Sequence, residues 1–120
     1  MSQQYKVLVV DDDLKLRSLL ERYLTEQGFN ADTVPDGNAL DRALTRNRYD
    51  LIVLDVMLPG RNGYDILAAI RQEDREQPVI MLTAKSSDDD IVHGLALGAD
   101  DYVAKPFSIA QLVLRVQAVL

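Results

Sequence analysis

The amino-acid sequence predicts an α/β fold, a doubly wound parallel sheet of five strands alternating with five helices. Three observations lead there. Short apolar runs alternate with stretches of helical periodicity from end to end, and strict alternation implies right-handed βαβ crossovers with helices on both faces of a parallel sheet. The clearest run, Leu51-Ile52-Val53-Leu54, is apolar at every position, as in a strand covered on both faces. The chain has 120 residues, 48% hydrophobic and 27% charged. That length and balance suit a single domain over residues 1–120 whose core needs no staples.

The first strand is the apolar run Tyr5 to Val10. Leu16, Leu19, Leu20, Tyr23 and Leu24 follow with the i, i+3, i+4, i+7, i+8 spacing of an amphipathic helix. Gly28 sits where a helix C′ glycine belongs. A weak second strand is expected near Asn30 to Val34. Pro35-Asp36-Gly37 is a turn that starts a helix carrying Leu40, Ala43 and Leu44. The third strand is the run from Leu51 to Leu54. Leu58 to Gly63 reads as a loop, followed by a helix with Ile66, Leu67 and Ile70 inward. Pro78 to Leu82 is the fourth strand, with its proline at the tolerated first position. Ser86 to Asp90 opens a fourth helix, since acidic groups favour the positive end of the macrodipole. That helix carries Ile91 and Leu95, with Val92 a further inward candidate, and ends at Gly98. Tyr102 to Ala104 is a short fifth strand. Ser108 caps a last helix with Ile109, Leu112, Val113 and Val116 inward.

Thirteen Lys+Arg against nineteen Asp+Glu give a net charge of −6. Nucleic acid and anionic membranes both reward clustered positive charge, so neither is expected as a direct partner of this chain. No cysteine is present, which excludes disulfides, thiolate metal sites and cysteine nucleophiles. No apolar run approaches the length of a membrane span. Neither glycine-rich nucleotide motif occurs.

In an open parallel sheet, chemistry gathers outside the carboxyl ends of the strands, at the switch point. The first strand ends in Asp11, Asp12 and Asp13, the third in Asp55, the fourth in Thr83 and the fifth in Lys105. If the first and third strands are neighbours, Asp11, Asp12 and Asp55 converge. Two carboxylates about 4 Å apart repel by roughly 4 kcal/mol at an effective dielectric of 20. Such a cluster needs a proton or a cation, and hard oxygen ligands favour Mg²⁺ or Mn²⁺. A lysine and a hydroxyl at the same rim suit a transferring phosphoryl group, with a carboxylate as nucleophile. Each residue also has a plainer reading. The aspartates can form a solvated turn with Asp13 as helix cap, Thr83 can satisfy backbone groups, and Tyr102 can be a half-buried strand aromatic. His93 reads as surface or packing.

The sequence resembles the receiver domains of two-component response regulators, most closely the OmpR/PhoB-type transcription regulators. The resemblance rests on LVVDDD (Leu8 to Asp13), VLDVMLPG (Val53 to Gly60) with Gly63, LTAK (Leu82 to Lys85) and GADDYVAKPF (Gly98 to Phe107). It covers essentially the whole chain. It implies a flavodoxin-like (βα)5 receiver with strand order 2-1-3-4-5, in a cytoplasmic signalling protein that is not itself an enzyme. Asp55 is then the phosphoacceptor for a sensor histidine kinase. Asp12 and Asp55 bind Mg²⁺ through carboxylates, Met57 through its backbone carbonyl, and Asp11 largely through water. Lys105 pairs with the acyl phosphate, Thr83 hydrogen-bonds it, and Tyr102 changes position with it. The Lys105–Pro106 bond is expected to be cis.

The resemblance further implies a homodimer on phosphorylation, through the fourth helix, fifth strand and last helix. Asp100, Asp101 and Arg115 match that face, whereas Ile91, Ala96 and Gln111 replace its usual charged residues. Such proteins continue into a winged-helix DNA-binding domain that these residues lack. The alternative function is a phosphatase of the haloacid-dehalogenase type, for which Asp11-Asp12-Asp13 offers a D-x-D pattern but which leaves Asp55 without a role.

Overall fold

The structure is a computed structural model and describes residues 4–83, 92 and 95–120. Strands β1 (Lys6–Val10), β2 (Asn30–Val34), β3 (Leu51–Asp55), β4 (Val79–Thr83) and β5 (Asp101–Ala104) form one parallel sheet. Their order is β2-β1-β3-β4-β5, as the resemblance implied. Helices α1 (Leu14–Glu26), α2 (Gly37–Arg46), α3 (Gly63–Glu73) and α4 (Ile109–Val119) are described. The helix expected between Ser86 and Gly98 falls mostly outside the described residues, as do Lys85, Ile91 and His93. Val92, Leu95 and Ala96 are helical.

Successive strand residues face opposite sides of the sheet, and here they feed two cores. Val7, Val9, Leu51, Val53, Ile80 and Leu82 pack against Leu20 and Leu24 of α1 and Leu112, Val113 and Val116 of α4. Leu8, Val10, Ile52, Leu54, Val79 and Met81 pack against Leu40 of α2 and Ile66, Leu67 and Ile70 of α3. This two-sided cover explains why β3 reads as an unbroken apolar run.

The helix boundaries follow local chemistry. Asp13 caps α1, its Oδ1 accepting the Lys15 and Leu16 N–H groups at 3.0 and 3.2 Å. At the other end Gly28 takes a positive φ of 94°. The Phe29 N–H reaches the Leu24 carbonyl at 3.0 Å and the Gly28 N–H the Thr25 carbonyl at 3.1 Å. This is the Schellman pattern, which glycine adopts without a Cβ penalty.

Four residues fall elsewhere than expected. Tyr5 lies outside β1 and is 49% exposed. Leu19 is 54% exposed, because at 100° per residue it sits about 120° around α1 from the midpoint of Leu20 and Leu24. Val92 and Leu95 are 63% and 47% exposed, and the neighbouring Leu97 makes the core contact instead.

Candidate functional site

Val10 pairs with Leu54 and Asp55 with Leu82 across the sheet, so Asp11, one residue beyond β1, is level with Asp55. Thr83 pairs with Ala104, and Lys105 follows directly. The switch point between β1 and β3 therefore brings together the residues that the sequence places at strand ends. Among the described residues, the buried polar side chains are Asp11, Asp55 and Thr83.

Burying a carboxylate requires partners. Asp11 Oδ1 accepts the Asp13 N–H at 2.9 Å and its Oδ2 accepts Lys105 Nζ at 2.9 Å. Asp55 Oδ1 accepts the Met57 N–H at 3.0 Å and its Oδ2 accepts Lys105 Nζ at 3.1 Å. Two negative groups thus share one ammonium. Burial pushes the Asp55 carboxyl above its usual range. The Met57 amide pulls it back, Asp11 pushes it up further, and Lys105 offsets part of that. For Lys105, burial disfavours the charge, but the bonds to Asp11 and Asp55 outweigh it, and the ammonium is held above its usual range.

Asp12 is exposed beside this pair. Carboxylate oxygens of Asp11, Asp12 and Asp55 all lie within 4.8 Å of one another. Asp13 does not join them, since its side chain caps α1. The D-x-D reading needs Asp11 and Asp13 on one centre, and the structure instead groups Asp11, Asp12 and Asp55.

The loop after Asp55 is held by a close backbone approach. The Gly63 N–H donates to the Val56 carbonyl at 2.9 Å. A Cβ on Gly63 would strike the Asp55 carbonyl oxygen and come within 2.6 Å of Val56 Cα, so only glycine fits. The Met57 side chain points to solvent, 58% exposed. The Lys105 N–H donates to the Thr83 carbonyl at 2.6 Å, and the Lys105–Pro106 bond is cis, as expected.

Some contacts at the site carry no local sequence signal. Arg17 Nη1 donates to the Asp11 carbonyl at 2.7 Å. The Tyr102 hydroxyl lies 2.7 Å from that of Tyr64, on the first turn of α3. The residues expected at a dimer face are engaged within the chain. Arg115 Nη1 lies 3.3 Å from Asp101 Oδ2, and Asp100 Oδ2 accepts from Arg71 Nη2 at 3.2 Å and from the Val79 N–H at 2.8 Å. Gln111 and Ala96 are exposed.

Among the described residues, no helix is long and apolar enough to cross a membrane. Residues 7–117 match the family described as the response regulator receiver domain. The chain is 52% identical over 116 residues to the transcriptional regulatory protein CpxR of Escherichia coli, covering 96% of this chain and 49% of that protein. It is 42% identical over 120 residues to the transcriptional regulatory protein RprY of Bacteroides fragilis, covering 100% of this chain and 51% of that one. The chain therefore spans about half the length of these relatives. The solved receiver domain of the Francisella response regulator 1452 superposes with a TM-score of 0.92 at 37% identity, covering 97% of this chain and 96% of that one.

Proposed function

Since the chain belongs to the response regulator receiver domain family of two-component systems, we propose that Asp55 accepts a phosphoryl group from the phosphohistidine of a sensor histidine kinase. A carboxylate oxygen of Asp55 attacks phosphorus and the P–N bond to the donor imidazole breaks. The electron pair returns to the imidazole nitrogen, which takes up a proton, and Asp55 becomes an acyl phosphate. The chain assists this transfer and the later hydrolysis of its own acyl phosphate.

The observation that carries this reading is the buried pair Asp11 and Asp55 sharing Lys105 beside Asp12. Three carboxylates against one ammonium leave negative charge uncompensated. Hard oxygen donors, with no His or Cys in the group, suit Mg²⁺ and also Mn²⁺. Asp11, Asp12 and Asp55 would hold such an ion with the Met57 backbone carbonyl. When bound it supplies positive charge for the phosphoryl oxygens. Lys105 exchanges its bond to Asp55 for one to the phosphoryl group, and the Thr83 hydroxyl hydrogen-bonds another of its oxygens. Tyr102 then shifts, and the surface built by β5, α4 and the segment before Gly98 changes shape.

That surface, with Asp100, Asp101 and Arg115, supports a phosphorylation-enhanced homodimer in which Asp101 and Arg115 pair between copies. The relatives are named as transcriptional regulators, so the output is control of transcription in the cytoplasm through a winged-helix DNA-binding domain outside these residues. The net charge of −6 assigns DNA contact to such a domain and not to this one. Incubation with acetyl phosphate and Mg²⁺ tests the assignment. Mass spectrometry is expected to show one labile phosphoryl adduct, lost in Asp55→Ala; an adduct that survives that substitution rules Asp55 out.

A further inference from the structure

The Tyr64 and Tyr102 hydroxyl oxygens are 2.7 Å apart, a phenol–phenol hydrogen bond in which one O–H donates and the other oxygen accepts. The two rings belong to different halves of the switch. Tyr64 lies in the first turn of α3. The Gly63 N–H ties that turn to the Val56 carbonyl, immediately after Asp55. Because a Cβ at Gly63 would strike the Asp55 backbone, the position of Tyr64 follows that of the loop after Asp55. Tyr102 lies in the edge strand β5, level with Met81, and β5 leads into Lys105. Both rings are half-buried and pack against the core that includes Leu54, Val56, Ile66 and Met81. The bond is thus a side-chain link between the segment after Asp55 and the strand that leads to Lys105.

We infer that Tyr64 is a positioning residue whose hydroxyl holds Tyr102 in the resting arrangement and so opposes the phosphorylated one. This rests on the proposed role of Asp55 and on the shift of Tyr102 that accompanies it. The bond is made in the arrangement in which Lys105 holds the free Asp55 carboxylate, and a Tyr102 ring that leaves its place gives the bond up. A contact made in only one of two states contributes its whole net free energy to the balance between them. For one neutral hydrogen bond that changes the balance about fivefold. Tyr64 is neither one of the candidate metal-binding carboxylates nor the reacting group, so its effect is on the equilibrium and not on the transfer step.

Beryllofluoride with Mg²⁺, a non-covalent mimic of the acyl phosphate, provides the probe. Its binding to the 120-residue chain is followed by NMR at amides near Asp55. Tyr64→Phe keeps the ring and removes the oxygen. It is expected to tighten apparent beryllofluoride affinity about fivefold. Tyr102→Phe is expected to do the same, and the double variant to gain no more than either single change. A hydroxyl with a merely structural role would lower the urea midpoint and leave the affinity unchanged. That result overturns the inference, and so do additive gains in the double variant. Binding by the parent that persists in Asp55→Ala instead overturns the role of Asp55, and the inference falls with it.

Discussion

At the carboxyl ends of the strands, Asp11 and Asp55 share the ammonium of Lys105 at 2.9 and 3.1 Å. At the opposite ends, Arg71 is surrounded by acceptors. Its Nε and Nη2 donate to the Gly98 carbonyl at 3.0 and 2.6 Å, its Nη1 to the Gln77 carbonyl at 2.5 Å, and its Nη2 to Asp100 at 3.2 Å. Nearby, the Tyr49 hydroxyl donates to Asp32 at 2.7 Å, and burial with that bond pushes the phenol up to about 12. The Lys6 N–H donates to Asp50 at 2.8 Å. The donors of Arg71, Tyr49 and Lys6 at this end meet matched acceptors. The carboxyl-terminal end keeps an excess of negative charge that folding alone does not neutralise. Such a local conflict marks where a fold has given up stability for chemistry.

If that contrast is right, substitutions at the two ends have opposite signs. The largest effect is expected at the matched end. Arg71→Ala strips the donors from Gln77, Gly98 and Asp100 at once and is expected to lower unfolding free energy by about 2 kcal/mol in urea denaturation. The Asp55 adduct should still form. A loss below about 0.5 kcal/mol would mean that water replaces the guanidinium without cost.

A smaller effect of the reverse sign is expected at the other end. Burial, with Asp11 adding to it, holds the Asp55 carboxyl above its usual range, so the folded state binds that proton more tightly than the unfolded chain. In metal-free buffer, stability then falls as pH rises from the ordinary Asp range through the folded pKa. Asp55→Asn removes this fall and leaves Lys105 and Asp11 as a one-to-one pair. It is expected to raise stability at pH 7 by about 1 kcal/mol and to change little at the acid end of the curve. A variant less stable than the parent at pH 7 would erase the contrast.

The smallest effect belongs to an exposed ion pair. Arg115 and Asp101 form an ion pair on the flank, with half of the Arg115 side chain exposed. Arg115→Ala is expected to cost under about 1 kcal/mol, and less at high salt. Its larger consequence would be weaker association of the phosphorylated chain in sedimentation. A phosphorylated dimer indifferent to the change would remove Arg115 from the interface.

The chemistry of the carboxyl-terminal end was legible because strand ends are fixed by short-range patterns. Asp11, Asp55, Thr83 and Lys105 each close or follow an apolar run, and alternation alone says that such ends lie on one edge of the sheet. Strand order was not legible from periodicity and came from the resemblance. Asp13 reads as a helix cap or as part of a D-x-D pair, and its Oδ1 contacts make it the cap. The opposite end was opaque for a physical reason. Arg71 meets Gly98 and Asp100 across separations of 27 and 29 residues, and no periodicity records where a long flexible side chain lands. Asp100, expected at a dimer face, bonds Arg71 and the Val79 amide within the chain, a pairing that no local pattern announces. Leu19 misled, because a helical stripe marks which residues are apolar and not how wide an arc the sheet covers.

The pairing of Lys105 with residues 94 and 50 positions earlier also bears on how the domain is born. A ribosome adds about 5–20 residues per second, so Asp55 is made roughly 3–10 s before Lys105. During that interval the nascent chain carries both carboxylates and no ammonium to set between them, and their repulsion works against seating β1 beside β3. β5 is an edge strand, and docking it delivers Lys105 to both carboxylates in one event. The charge arrangement around Asp11 and Asp55 is therefore complete only once the last strand has docked.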